Sequence, residues 1–256
     1  TMTDQLDYKT ALRCAHLSNE VYRTFNDDLR FSIAPSLTPQ LVDIKRTDTQ
    51  VALLEDPKTQ YGYVVFRGSN ADRDWLTNLD FSRWSAVTGA VLDDKQLDYP
   101  DVYGTSSSGV KLHKGFTKAY LSARSEIHAI VQRSTVKHWI VTGHSLGGAL
   151  AKLCAVDLQY NFSPKISVAM CGFGAPRVGN KAFAESYNRR VPNSWRFVNG
   201  NDVVSGLPRR WQTYRHVDQR IRLGSRLSWR VFSGSLQDHR IDRYLAALTK
   251  KVAEQK

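Results

Sequence analysis

Four times along this sequence an unbroken apolar run stops at a small, glycine-containing turn and gives way to a stretch of helical spacing. Tyr63-Val64-Val65-Phe66 runs into Gly68, His138-Trp139-Ile140-Val141 into Gly143, Ile166 to Met170 into Gly172, and Trp195-Arg196-Phe197-Val198 into Gly200. A strand with one wet face alternates apolar and polar residues. Runs without that alternation suit strands covered on both faces, as in a parallel sheet whose crossovers are helices. The pattern predicts an α/β architecture with a mostly parallel central sheet flanked by helices.

Helices are expected at 114–132, 145–160, 179–189 and 237–252, and an earlier one over 5–24, where Leu12, Ala15, Leu17, Val21 and Tyr22 keep a roughly helical spacing. Past a loop punctuated by Pro35 and Pro39, two β-rich runs at 50–55 and 61–66 flank Asp56-Pro57-Lys58-Thr59 and read as a hairpin. Residues 82–110 show little pattern and contain Ser106-Ser107-Ser108-Gly109, so they are a candidate flap. No fixed-period repeat divides the chain, and residues 1–256 suit one domain with a continuous core. With 41% hydrophobic residues, including 6 Trp, there is enough apolar surface to fill it, which excludes disorder as the main state.

The apolar runs of four to six residues fall far short of the roughly 20 that span a bilayer. The first twenty residues are polar and helical in pattern, unlike a signal peptide, so the expectation is a cytoplasmic chain or one exported by a non-classical route. Cys14, Cys154 and Cys171 each sit in an apolar stretch, which points to buried thiols and away from a disulfide framework or a metal site.

Net charge is +12, unevenly distributed. Residues 1–100 carry 11 basic and 15 acidic side chains, whereas 189–243 carry 12 Arg and 4 Asp. Guanidinium forks grip phosphates bidentately. A phosphate-bearing partner, either an anionic membrane surface or a nucleic acid, is therefore a candidate for the Arg-rich C-terminal part, against the plainer reading of a solvated basic face.

Gly143-His144-Ser145-Leu146-Gly147 matches G-x-S-x-G, in which a strand turns sharply into a helix and presents the serine hydroxyl at the top of a sheet. Trp139 to Thr142 reads as the strand, and Gly148-Ala149-Leu150-Ala151 opens the helix. A serine hydroxyl needs a histidine to take its proton and a carboxylate to hold that histidine in the right tautomer. Downstream lie Asp157, Glu185, Asp202, Asp218, Asp238, Asp242 and Glu254, with His216 and His239. Asp202 is favoured because it follows a strand and Gly200-Asn201, where ligands gather in open parallel sheets. Asp157 and Glu185 fall within helices and read as surface charges, and Asp218 is the next candidate. His239 lies in a loop before the last helix, free to reach the sheet top, whereas His216 reads as a structural histidine embedded in a strand. For a developing oxyanion the turn offers the N–H of Leu146, and Ser69, just past the strand ending at Phe66, offers a second donor.

These residues resemble the class 3 lipase family, the filamentous-fungal type of triacylglycerol lipase. The matching blocks are Phe66-Arg67-Gly68-Ser69, Asp74 to Leu79, His113-Lys114-Gly115-Phe116, Gly143 to Gly148, Phe173 to Asn180, and Asn201-Asp202-Val203-Val204 before Leu207-Pro208. The resemblance implies an α/β-hydrolase fold, Ser145 as nucleophile with Asp202 and His239, and Ser69 with Leu146 as the oxyanion hole. It further implies a scaffold role for His113 and His216, no metal or organic cofactor, and a lipid or ester substrate with no nucleic acid. The family's lid would fall at 70–79, which is rather polar here, with Trp75, Leu76 and Leu79 as its bulky apolar groups. The stretch from Phe81 to His113 is longer than in the fungal enzymes and could form a second flap. The leading expectation is a carboxylic ester hydrolase acting on acylglycerols or phospholipids. An esterase for soluble esters, similar to feruloyl esterases, is the second, and an inactive scaffold binding an anionic partner is the third.

Overall fold

A computed structural model of the chain describes residues 7–68, 91–92, 109–207, 213–217, 219–224 and 237–255. Ser69, the candidate lid at 70–79 with Trp75, Leu76 and Leu79, and nearly all of the 82–110 flap lie outside the described residues, as does Asp218.

In chain order the elements are α1 (Tyr8–Glu20), β1 (Gln40–Ile44), β2 (Thr49–Asp56), β3 (Tyr61–Phe66), β4 (Val91–Leu92), β5 (Leu112–His113), α2 (Lys114–Arg133), β6 (His138–His144), α3 (Leu146–Phe162), β7 (Ser167–Phe173), β8 (Gly179–Asn180), α4 (Lys181–Arg190), β9 (Ser194–Asn199), β10 (Tyr214–Arg215), β11 (Arg220–Leu223) and α5 (Ile241–Ala253). Seven strands form the main sheet in the order β1-β2-β3-β6-β7-β9-β11. The first two pairings are antiparallel, and every pairing from β3 to β11 is parallel.

The apolar runs are covered on both faces, as their lack of alternation requires. Val51, Leu53, Val64, Phe66, Trp139, Val141 and Met170 pack toward α2, α3 and α4. Ala52, Leu54, Val65, Ile140, Cys171, Phe173 and Phe197 pack on the opposite face with α1 and α5. Helix α3 is wedged deepest, with every residue from Gly147 to Leu158 buried. All three cysteines are buried and free.

Local chemistry sets the helix starts. The Asp7 side chain accepts the Lys9 N–H at 2.8 Å, and the Asn180 side chain accepts the Phe183 N–H at 3.1 Å, each satisfying an orphan donor of a first turn. His113 caps α2 in the same way through Nδ1, 3.3 Å from the Phe116 nitrogen. The expected hairpin is present, with Asp56 paired to Tyr61 at its mouth.

Three expectations are corrected. β1 lies in the stretch read as a loop, because only Val42 of its five residues is buried and the short run mixes Leu41, Val42 and Ile44 with Gln40 and Asp43. His216 is not embedded in a strand: it follows the two-residue β10, and the sheet strand of this region is β11 instead. Asp157 is not a surface charge, being 0% exposed. Because α3 is covered all round, its polar side chains are buried as well, and Asp157 faces a stripe of partners on α2. Arg124 Nε lies 2.8 Å and His128 Nε2 2.7 Å from its carboxylate, Tyr120 donates its hydroxyl, and Asn161 of α3 adds a bond at 2.7 Å.

Candidate active site

The C-terminal ends of the parallel strands gather the three residues singled out by sequence. Ser145 stands between β6 and α3 with φ 57° and ψ −126°, a backbone conformation that non-glycine residues rarely adopt. The turn is so tight that a Cβ on Gly143 would come within 2.4 Å of the Gly147 carbonyl. Strain of this kind lifts the side chain clear of the sheet. Asp202 follows β9 and the turn at Gly200-Asn201. His239 directly precedes α5 and its cap residue Arg240.

His239 Nε2 lies 2.9 Å from Ser145 Oγ, and Nδ1 lies 2.9 Å from both carboxylate oxygens of Asp202. All three side chains are buried. The carboxylate can only accept, so Nδ1 carries the proton and Nε2 presents its lone pair to the serine hydroxyl. Asp202 is itself fixed: Oδ1 accepts the Val204 N–H at 2.9 Å, and Oδ2 accepts the hydroxyl of Tyr244 on α5. Gly174, at φ +57°, floors the group, since a Cβ there would lie 2.5 Å from Asp202 Oδ2 and 2.9 Å from His239 Nδ1.

Leu146 is the first residue of α3, where helix geometry leaves the N–H without an intrahelical acceptor and aimed outward beside Ser145. The second expected donor, Ser69, is outside the described residues. His216 is not brought to Ser145. Its Nε2 donates to the Ser205 carbonyl at 2.5 Å, and Ser205 in turn bonds the Asp202 carbonyl at 2.8 Å, so it secures the loop that carries the acid. Burial, with Arg196, Lys152 and Arg177 nearby, holds the His216 pKa well below the ordinary imidazole value. Glu185 lies at the surface in an ion pair with Lys181.

Behind the Asp202 loop is a cleft of about 200 Å³ whose lining includes Arg177, Arg196, Arg220 and Arg222. Part of the Arg-rich region is thus gathered at the same end of the sheet as Ser145. Among the described residues no group of His, Cys, Asp and Glu could hold a metal ion. Among them, also, no helix is long and apolar enough to cross a membrane.

Sequence reasoning did not single out Tyr244, which touches the Asp202 carboxylate, nor Tyr22 and His144, which line the back of the site. Tyr22 Oη lies 3.0 Å from His144 Nδ1, and His144 Nε2 lies 2.6 Å from the backbone carbonyl of His239.

The family model for lipase (class 3) matches residues 63–211, more than half of the chain and inclusive of Ser145 and Asp202. The chain belongs to the class 3 lipase family. A lipase of Rhizomucor miehei is 36% identical over 168 residues, covering 63% of this chain and 41% of that protein. A chloroplastic phospholipase A(1) of Arabidopsis thaliana is 29% identical over 158 residues, 57% of this chain and 33% of its own length. The chain therefore spans well under half the length of these curated relatives. A solved triacylglycerol lipase, described as having a serine protease triad at its catalytic centre, superposes with a TM-score of 0.66 at 27% identity, covering 91% of this chain and 90% of that one. As in that neighbour, the architecture is an α/β-hydrolase fold: a mostly parallel sheet flanked by helices.

Proposed function

We propose that this chain is a serine hydrolase that cleaves carboxylic esters of lipids, acylglycerols or phospholipids, through an acyl-enzyme on Ser145. The observation that carries the reading is the continuous hydrogen-bonded line from Ser145 Oγ through His239 to Asp202. The family supports a lipid ester as substrate, and its members include both lipases and a phospholipase A(1).

In the proposed reaction His239 Nε2 takes the Ser145 proton as Oγ bonds to the ester carbonyl carbon. Asp202 stabilises the imidazolium and keeps its orientation. Negative charge developing on the carbonyl oxygen is met by the N–H of Leu146 and by Ser69. The tetrahedral species collapses, the alcohol leaves with the proton held by His239, and an acyl-Ser145 ester remains. Water then repeats the sequence: His239 removes its proton, hydroxide adds to the acyl carbon, and the fatty acid leaves as Ser145 regains its hydrogen.

Exposed Arg220, in the cleft beside the Asp202 loop, supports a further element, attraction to anionic lipid surfaces, with each surface cation contributing about 1 kcal/mol. A panel of triacylglycerols, phospholipids and p-nitrophenyl esters of graded chain length tests the substrate class. Vesicles with and without phosphatidylglycerol, at low and high salt, test the surface attraction. Hydrolysis of long-chain and aggregated lipid is expected, with salt-sensitive enhancement on anionic vesicles. Turnover of short soluble esters alone would replace the lipid reading with that of a soluble esterase, and equal rates on neutral and anionic vesicles would remove the surface attraction.

A further inference from the structure

We infer that His144 and Tyr22 are positioning residues for the catalytic base, holding the backbone of His239 through a single hydrogen-bonded path. The inference rests on the assignment of Ser145 and His239 as nucleophile and base. His144 precedes Ser145 in the tight turn, and its side chain is buried, 6% exposed. Its ring lies against that of His239, centroids 4.6 Å apart and planes 31° from parallel.

The direction of every bond in the path follows from chemistry. A peptide carbonyl only accepts, so at 2.6 Å from the His239 carbonyl His144 Nε2 must carry a hydrogen. Burial, with His239 close by, pushes the His144 pKa down to about 3, so the ring is neutral and has one N–H. Nδ1 is then a bare lone pair, and the hydroxyl of Tyr22 at 3.0 Å must donate to it. Tyr22 Oη also lies close against Gly68, just past β3. The fit leaves no slack, since a Cβ on Gly68 would fall 2.0 Å from Tyr22 Oη.

The path therefore reads Tyr22 O–H to His144 Nδ1 and His144 Nε2–H to the His239 carbonyl. It joins the chain just past α1 to the main chain that carries the base. The His239 carbonyl selects the imidazole tautomer of His144, and Tyr22 donates to the nitrogen left bare. The other tautomer would set a lone pair against the carbonyl oxygen.

The test compares His144→Leu, His144→Gln and Tyr22→Phe with the unaltered chain on a small soluble ester, recording kcat and KM separately, the rate of fluorophosphonate labelling, and the thermal midpoint. A glutamine amide can place an N–H near the position of Nε2, whereas leucine cannot. His144→Leu is expected to lower kcat about 30-fold with KM within about twofold, since near 2 kcal/mol of transition-state positioning is lost. His144→Gln should recover most of that loss, and Tyr22→Phe should lower kcat by roughly 5- to 10-fold. The labelling rate should fall in step with kcat. Equal kcat in the Leu and Gln variants, or an effect confined to KM, would overturn the inference. Should His144→Leu fail to fold, unaltered kcat in Tyr22→Phe would overturn it alone. Activity surviving in Ser145→Ala would instead defeat the triad assignment itself, so the two failures are told apart.

Discussion

Tyr244, on the last helix, donates its hydroxyl to the Asp202 oxygen that also lies 2.9 Å from His239 Nδ1, so the candidate acid is gripped by α5 as well as by its own loop. Burial and the neighbouring Asp202 carboxylate hold the Tyr244 pKa well above the ordinary phenol value, so it stays a donor at any working pH. Tyr244→Phe removes a bond to a charged acceptor, worth about 1.5–3 kcal/mol. The expected outcome is a loss of roughly tenfold or more in kcat at nearly constant KM, together with a lower thermal midpoint. Steady-state kinetics beside a melting curve checks it, and unaltered kcat would mean that the loop alone orients the carboxylate.

The two downstream histidines should separate cleanly. His239→Ala is expected to abolish turnover while the protein remains folded, whereas His216→Ala should act mainly through stability, because it loosens Ser205 and leaves the Ser145 line intact. Asp202→Asn favours the wrong imidazole tautomer, an effect on the order of 10⁴ in kcat in the serine-protease precedent. Rates normalised to active, folded protein decide the matter; near-normal turnover in Asp202→Asn would move the acid to Asp218.

Asp157 should matter for stability alone. Burial by itself would raise its pKa, but the bonds from His128, Arg124 and Tyr120 outweigh that and hold it below the usual carboxylate value. Asp157→Ala removes the acceptor shared by Arg124, His128 and Tyr120, a loss of about 1–3 kcal/mol. Urea unfolding should show a large drop in midpoint, with kcat/KM unaltered below the transition. A loss under 1 kcal/mol would show that the α2 partners find other acceptors.

Acid should destabilise the fold before the carboxylates titrate. Burial depresses the pKa of His113 to about 4, and burial with His239 nearby depresses that of His144 to about 3. The unfolded chain, with an ordinary histidine pKa near 6.5, binds protons that the folded chain refuses. This stability is present above pH ~6.5 and is lost as pH falls toward 4, at about 2 kcal/mol per histidine by pH 5. Urea midpoints from pH 7.5 to 5 should fall accordingly. His113→Asn, which keeps a capping oxygen, should flatten part of the slope. A midpoint independent of pH over that range would contradict the buried, neutral state of these rings.

The parallel sheet was legible because its strands are buried on both faces, and the apolar runs into Gly143, Gly172 and Gly200 announce that directly. Its edges were not. β1 buries only Val42, and β11 alternates Arg220 and Arg222 with Ile221 and Leu223, so neither contrasts with its surroundings. Ser145, Asp202 and His239 could be singled out because each sits at a strand end or before a helix where chain order constrains the chemistry. Tyr22, His144 and Tyr244 carry no such local mark, and their meaning comes from contacts over 122, 95 and 42 residues of sequence. Asp157 was misread for a related reason: a charge in a helix is usually at the surface, and only the matching stripe of Tyr120, Arg124 and His128 on α2 shows otherwise.

The most direct measurement is fluorophosphonate labelling and ester turnover of Ser145→Ala beside the unaltered chain, with the adduct located by peptide mass spectrometry. The unaltered chain should carry one adduct, on the peptide containing Ser145. The variant should carry none, and should lose turnover by roughly 10⁴-fold or more while keeping its melting curve. An adduct on another residue, or turnover preserved in the folded variant, would contradict Ser145 as the nucleophile.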